Sequence, residues 1–165
     1  MRRPPPRRAD RGAPPAALPT AVRMLARREY GRSELRARLC RRGIDASSAD
    51  AALDELQRRG LLSDARYANA VVAQKAGRYG RRAIAYALKE KGIDTSAADA
   101  ALGQLAGRDE VDEALALLTR RYDKPPQNRN EKARQVRFLL SRGYPMSVAL
   151  KALRLAGAPR DDDES

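Results

Sequence analysis

The same helix-sized phrase occurs twice in this chain, 49 residues apart and without insertion or deletion. Residues 30–45 read YGRSELRARLCRRGID, and residues 79–94 read YGRRAIAYALKEKGID. Extended to residues 30–56 and 79–105, the alignment contains 14 identities in 27 pairs. A unit this short cannot bury its own apolar face, so neighbouring units have to stack on one another. The repeat therefore predicts an array of similar modules rather than one sphere around a pocket.

A third, weaker copy covers about residues 134–153 when Gly143 is aligned with Gly43 and Gly92. Each copy reads as helix, turn, helix, with one further helix before it, which makes nine helices. No stretch shows the period-two alternation typical of strands, and the strong helix formers Ala, Leu, Arg and Glu dominate the composition. We expect an all-α fold of three tandem three-helix repeats that form an elongated, curved rod.

Turn chemistry suggests where individual helices begin. Pro19 is expected to open the first helix, because proline suits the first helical turn. Side-chain caps are predicted at Ser33, Ser47, Ser63 and Ser96. Two of them, Ser47 and Ser96, are followed three residues later by an aspartate, as in a capping box. The last three helices are expected at about 109–122, 131–142 and 146–156, with a proline-containing linker at 123–130.

The chain is divided accordingly into five segments. They are a disordered, basic Pro/Arg-rich leader (1–18), repeat 1 (19–60), repeat 2 (61–107), repeat 3 (108–157) and an acidic C-terminal tail (158–165). Disorder is expected for the leader because its prolines oppose helix and it has little apolar matter to bury.

The formal net charge is +13, from 34 Lys and Arg against 21 Asp and Glu. A positive chain favours an anionic partner, which could be nucleic acid, an anionic membrane surface or an acidic protein. No apolar run approaches the length of a membrane span, and a single cysteine fits a reducing, cytoplasmic setting. We expect a monomer that does not associate with membranes.

Several kinds of chemistry are excluded by what the sequence lacks. There is no histidine, which removes the commonest general base and the Ser-His and Cys-His nucleophile pairs. One cysteine cannot build a thiolate metal cluster, and neither a GxxxxGK[ST] phosphate loop nor a GxGxxG fingerprint occurs. No cofactor, metal or catalytic residue is therefore expected.

Four motifs in their order and spacing carry a resemblance to a known family. REYGRSELRARLCRRGI, LDELQRRGLLSDARYANAVV, GRRAIAYALKEKGI and KARQVRFLLSRGYP resemble the RecX regulatory proteins of bacteria, over about residues 20–157. The resemblance implies a regulator of the RecA recombinase in DNA repair and recombination, not an enzyme. Such a protein binds in the groove of the RecA–DNA filament and inhibits strand exchange and ATP hydrolysis. Ser63 departs from the family phrase, which has aspartate there, but serine caps a helix equally well.

The second helix of each module is its most basic, and these helices define a predicted basic stripe. Its members are Arg32, Arg36, Arg81, Arg82, Lys89, Lys91, Lys132, Arg134, Arg137 and Arg142. Residues 21–60, 61–107 and 108–157 carry net charges of +4, +3 and +5. Because every module is positive, we expect the stripe to contact acidic side chains or phosphates of the RecA filament, or single- or double-stranded DNA.

Four tyrosines have two possible roles. Tyr30, Tyr67, Tyr79 and Tyr144 could stack on bases, as in single-strand binders, but a tyrosine at a helix border more often packs its ring.

Two other classes of function remain open. One is a sequence-tolerant helical DNA-binding protein without a recombinase partner, which would bind naked DNA with a steep salt dependence. The other is a small metal nuclease that uses carboxylates. It is disfavoured because the Asp and Glu residues lie mainly at helix starts, where capping explains them.

Overall fold

The computed structural model describes residues 16–158, so most of the predicted leader and of the acidic tail lies outside the described residues. Within residues 16–158 there are nine α-helices, one 3₁₀ turn at Gly103–Leu105 and no strand. The all-α prediction is confirmed, and so is the grouping of the helices in threes.

The helices are α1 Ala17–Leu25, α2 Arg32–Arg41, α3 Ala46–Arg58, α4 Asp64–Lys75, α5 Arg81–Glu90, α6 Thr95–Leu102, α7 Glu110–Arg121, α8 Arg129–Ser141 and α9 Met146–Ala156. Modules 1, 2 and 3 are α1–α3, α4–α6 and α7–α9. In each module the first helix packs most extensively on the third. The chain separates into two compact units: the first ends at Ser63 and holds module 1, and the second begins at Asp64 and holds modules 2 and 3.

The first helix begins earlier than its proline predicted. α1 starts at Ala17, and Pro19 lies within its first turn. Proline is tolerated there because the N–H groups of the first turn have no partner within the helix. Ala17 and Leu18 pack against the core of module 1. These two residues therefore belong to the folded part of the chain rather than to the leader.

Aspartates, not the predicted serines, cap the third helices of modules 1 and 2. The Asp45 carboxylate accepts a hydrogen bond from the Ser48 N–H at 2.9 Å, and Asp94 accepts one from the Ala97 N–H at 3.0 Å. The capping boxes predicted from Ser47 and Ser96 are wrong. An extended aspartate two residues earlier already satisfies the first orphan N–H groups, so the helix begins there.

Ser33 is not a cap either. α2 begins at Arg32, after an extended Gly31 that provides no side-chain cap. Ser33 therefore lies inside the first turn. Ser63, in contrast, directly precedes the first residue of α4, Asp64, which is the position predicted for it.

Module 1 is built around leucines from its second and third helices. Leu35 and Leu39 of α2 and Leu53 and Leu56 of α3 are all fully buried. Their spacing by three or four residues places each pair on one helix face. Burying one leucine side chain contributes about 1.5–3 kcal/mol to the free energy of unfolding. This small cluster is therefore a major source of the module's stability.

Modules 2 and 3 repeat this design within the second unit. Ile84 and Leu88 are fully buried at the positions that correspond to Leu35 and Leu39 in the repeat. The core of module 3 includes the fully buried Leu139 of α8. The two modules meet through main chain, because the Gly80 N–H donates to the Arg142 carbonyl oxygen at 2.8 Å.

Gly143 makes the end of α8 possible. It follows the last helical turn with a φ of +88°, in the left-handed region that ends many helices and that favours glycine. A Cβ on Gly143 would also lie 2.4 Å from the Cβ of Ala83 in α5. The residue that ends α8 therefore also lets α5 approach it closely.

Candidate partner interface

All ten cations of the predicted basic stripe lie on the second helix of a module or directly after it. These ten cations fall into two groups, according to whether the side chain contacts another part of the chain. Side chains that contact other parts of the chain are those of Arg32, Arg36, Arg81, Lys91, Arg134 and Arg142. Within residues 16–158, the side chains of Arg82, Lys89, Lys132 and Arg137 make no hydrogen bond, ion pair or ring contact and are exposed.

On α2, the predicted cations hold two helices of module 1 together. Arg36 reaches Asp50 of α3 through two hydrogen bonds, Nε to Oδ1 at 2.7 Å and Nη2 to Oδ2 at 3.0 Å. Arg32 lies 2.8 Å from Asp54 Oδ1 on the same helix. Hydrogen bonds from Arg36 lower the pKa of Asp50, so this carboxylate is ionised at neutral pH. A partner would have to compete with Asp50 and Asp54 for these guanidinium groups.

On α5, neighbouring arginines differ in role. Arg81 Nη1 donates to the carbonyl oxygen of Leu102 at 2.8 Å, and Leu102 is the last residue of α6. A cation at a helix C-terminus satisfies free carbonyl groups and complements the helix dipole. Arg81 is therefore a structural residue of module 2. Arg82 and Lys89 lie seven residues apart, hence on one face of α5, and both are exposed.

On α8, two cations contact aromatic rings and two do not. Arg142 lies 5.0 Å from the centroid of the Tyr79 ring, and Arg134 lies 5.8 Å from that of Tyr122. Such contacts between a cation and a ring are worth about 0.5–1 kcal/mol at exposed sites. Lys132 and Arg137 are exposed. The second unit therefore contains all four cations of the stripe that have no contact within the described residues.

The tyrosines considered for base stacking are packed instead. Tyr30, Tyr67 and Tyr144 are buried. The Tyr79 ring is half-buried between Lys75, at 4.6 Å from its centroid, and Arg142. These rings do not offer an open face for a base, so the packing interpretation is the one the structure supports.

Tyr86, which sequence analysis passed over, is the exposed tyrosine of the described residues. It lies on α5 with 65% of its surface exposed. Its neighbours two residues away, Ile84 and Leu88, mark the buried face of the helix, so the helical period places Tyr86 on the opposite side. The apolar spacing of Ile84 and Leu88 is visible in the sequence and could have identified Tyr86 as exposed.

Two further observations bear on the class of site. None of the helices within residues 16–158 combines the length and the apolar character that a membrane crossing requires. Over the same range, no three His, Cys, Asp or Glu side chains come together in a group that could hold a metal ion.

The sequence matches known proteins over most of its length. Family models of RecX match in order: its first three-helix domain at residues 17–56, its second at 63–102 and its third at 108–153. The regulatory protein RecX of Leptothrix cholodnii is 40% identical over 145 residues, which cover 88% of this chain and 92% of that protein. The regulatory protein RecX of Thermus thermophilus is 44% identical over 140 residues, covering 85% of this chain and 92% of that protein.

The structure also resembles a solved one. The crystal structure of RecX from Lactobacillus salivarius matches with a TM-score of 0.69 at 22% sequence identity, over 85% of this chain and 94% of that chain. At this level of identity the match supports the fold, and the assignment to a family rests on the sequence matches.

Proposed function

The chain belongs to the RecX family of regulatory proteins, and on that basis we propose that it binds along the groove of the RecA–DNA filament and inhibits RecA. The observation that carries the proposal is the match of all three family domains, in order, to the three modules of the structure. The protein would regulate strand exchange and ATP hydrolysis by binding, without catalysis of its own.

The charge of the chain supports this choice of partner. A net charge of +13 favours association with an anionic assembly such as a nucleoprotein filament. The exposed cations of the second unit, Arg82, Lys89, Lys132 and Arg137, are available to acidic side chains or phosphates without breaking an existing contact within the described residues. Arg32, Arg36 and Arg81 contribute less, because their side chains already link two helices within their own module.

The proposal is tested by co-sedimentation of the full chain with RecA assembled on single-stranded DNA, together with strand-exchange and ATPase assays. We expect the chain to sediment with the filament and to slow both reactions. Naked single- and double-stranded DNA at the same salt concentration are the controls. Equal binding to naked DNA and to the filament, with a steep salt dependence and no effect on RecA, would instead identify a DNA-binding protein without a recombinase partner.

A further inference from the structure

A surface groove separates α5 from the end of α8 in the second unit. Its volume is about 460 Å³, and its walls include Arg82 and Tyr86 on one side and Leu140 on the other, with Gly143 and Tyr144 completing it. Tyr86 is 65% exposed and Leu140 is 37% exposed. Two large side chains, each with substantial apolar surface, thus face an open groove.

The walls of this Tyr86–Leu140 groove are held in place by main-chain contacts. The Gly80 N–H donates to the Arg142 carbonyl oxygen at 2.8 Å, at the start of α5 and the end of α8. Gly143 lies so close to Ala83 that a Cβ could not be added without a clash. The groove is therefore present before a partner arrives, and binding does not have to order it.

The chemistry of the groove favours a protein segment over a nucleic acid strand. A strand carries a phosphate at every nucleotide, and grooves that bind strands provide a row of cations. Arg82 is the single cation among the residues that line this groove. Tyrosine, leucine and arginine around one depression instead resemble the centre of a protein interface.

The position of Arg82 indicates what kind of segment fits. Arg82 is exposed in the first turn of α5, and its side chain makes no ion pair within residues 16–158. A carboxylate is therefore favoured at this end of the groove, and an apolar side chain between Tyr86 and Leu140. A second copy of this chain is disfavoured as occupant, because both copies carry a net charge of +13.

We infer that the Tyr86–Leu140 groove receives an apolar side chain, next to a carboxylate, from the protein component of the filament rather than from its DNA. This inference rests on the function proposed above, since it names RecA protein as the occupant. In this arrangement the groove makes the apolar contact with RecA. The exposed cations around the groove increase the rate at which the chain and the filament first meet.

The test is site-specific photo-crosslinking from the groove. The full chain with Tyr86→p-benzoylphenylalanine is irradiated with RecA filaments on labelled single-stranded DNA. We expect a product that contains RecA and no DNA label. A product with the labelled DNA, or a dimer of this chain, overturns the inference.

A pair of leucine variants provides the matched comparison. Leu140 and Leu150 are both 37% exposed, but Leu150 lies on α9 outside the groove. Leu140→Ser should lower filament affinity by about tenfold while Leu150→Ser leaves it unchanged, because truncating a central apolar contact has effects of that size. Circular dichroism confirms that both variants are folded.

The outcomes separate this inference from the proposed function. If the parent chain fails to bind filaments at all, the proposed function is wrong, and the inference falls with it. If the parent binds filaments, the proposed function stands. The inference is overturned if the Tyr86→p-benzoylphenylalanine chain then gives no crosslink to RecA and both leucine variants bind equally well. The groove is then not the contact.

Discussion

Gly80 and Gly143 bring the main chains of modules 2 and 3 into direct contact. A Cβ added to Gly80 would lie 2.6 Å from the Gly143 carbonyl oxygen and 2.9 Å from the Tyr144 nitrogen. Next to this contact, the Gly80 N–H donates to the Arg142 carbonyl oxygen. Because the opposing atoms belong to backbone, they cannot swing away as the end of a side chain can. The two modules approach this closely because both positions lack a side chain.

Gly80→Ala should therefore destabilise the second unit. Forcing an extra methyl group into a packed contact typically costs about 1–3 kcal/mol, and each kcal/mol lowers Tm by roughly 2–4 °C in a chain of this size. Thermal unfolding followed by circular dichroism measures the effect. Gly103→Ala is the control, since a Cβ there meets nothing within 4 Å and φ is −58°. Equal Tm values for the two variants would show that the glycine contact does not hold the modules together.

This contact also marks what the sequence could and could not reveal. The sequence places Gly143 directly after the helix expected at 131–142, and the structure agrees, with α8 ending just before it. That Gly80 and Gly143 touch each other could not be read from the alignment. Their contact depends on how one module packs on the next, which local propensity and hydrophobic period do not encode.

The arginines show the same division between local and tertiary information. Counting charges identified α2 as a basic helix, but Arg36 meets Asp50 from a different helix, 14 residues along the chain. Charge density therefore predicted where the cations lie and not which of them are already paired.

The predicted helix caps at Ser47 and Ser96 were misplaced for a local reason. Ser47 and Asp45 are both good capping residues, and propensity alone does not choose between neighbours.

The first residues of α1 set a sharp boundary for truncation. Ala17 and Leu18 pack against the core of module 1, whereas the residues before position 16 are Pro- and Arg-rich. We predict that deleting residues 1–15 leaves Tm unchanged and that deleting residues 1–18 lowers it, because the second deletion removes Ala17 and Leu18, the first two residues of α1, and their apolar contacts. Differential scanning calorimetry of the two truncated chains distinguishes them. A lower Tm for the shorter deletion would show that the leader is structural.

Tyr144 should make stability fall at high pH. Burial, together with the nearby Glu113 carboxylate, raises the pKa of Tyr144 above its ordinary value of 10.0. The folded state therefore favours the neutral phenol. Its contribution is complete below the unfolded pKa near 10 and is lost as the pH rises beyond that value.

The comparison that isolates this effect is between the parent and Tyr144→Phe at pH 9 and pH 11. We expect Tm of the parent to fall more over this interval than that of the variant, since all other groups titrate in both. At pH 8 the variant should lose at most about 1 kcal/mol, because the hydrogen bond from the hydroxyl to Glu113 is long, at 3.5 Å. Identical falls in Tm would show that the Tyr144 hydroxyl titrates as it does in the unfolded chain.

The exposed cations of α5 provide the direct test of the basic stripe. Arg82 and Lys89 share one face and make no contact within the described residues, so their reversal should leave the fold intact. Arg81 is unsuitable for this test. Its reversal would break the bond to the Leu102 carbonyl oxygen and place a carboxylate near Glu110, which accepts a hydrogen bond from the Arg81 N–H.

Arg82→Glu with Lys89→Glu should weaken binding to RecA–DNA filaments by about tenfold and reduce the salt dependence of binding, because attraction becomes repulsion at the contact. The control, Lys151→Glu with Arg154→Glu on α9, carries the same change in charge at exposed positions outside the stripe. Affinities measured by fluorescence anisotropy at several salt concentrations compare the two. If both double variants lose affinity equally, net charge alone determines binding. If the α5 variant binds as the parent does, the second helix of module 2 does not contact the filament.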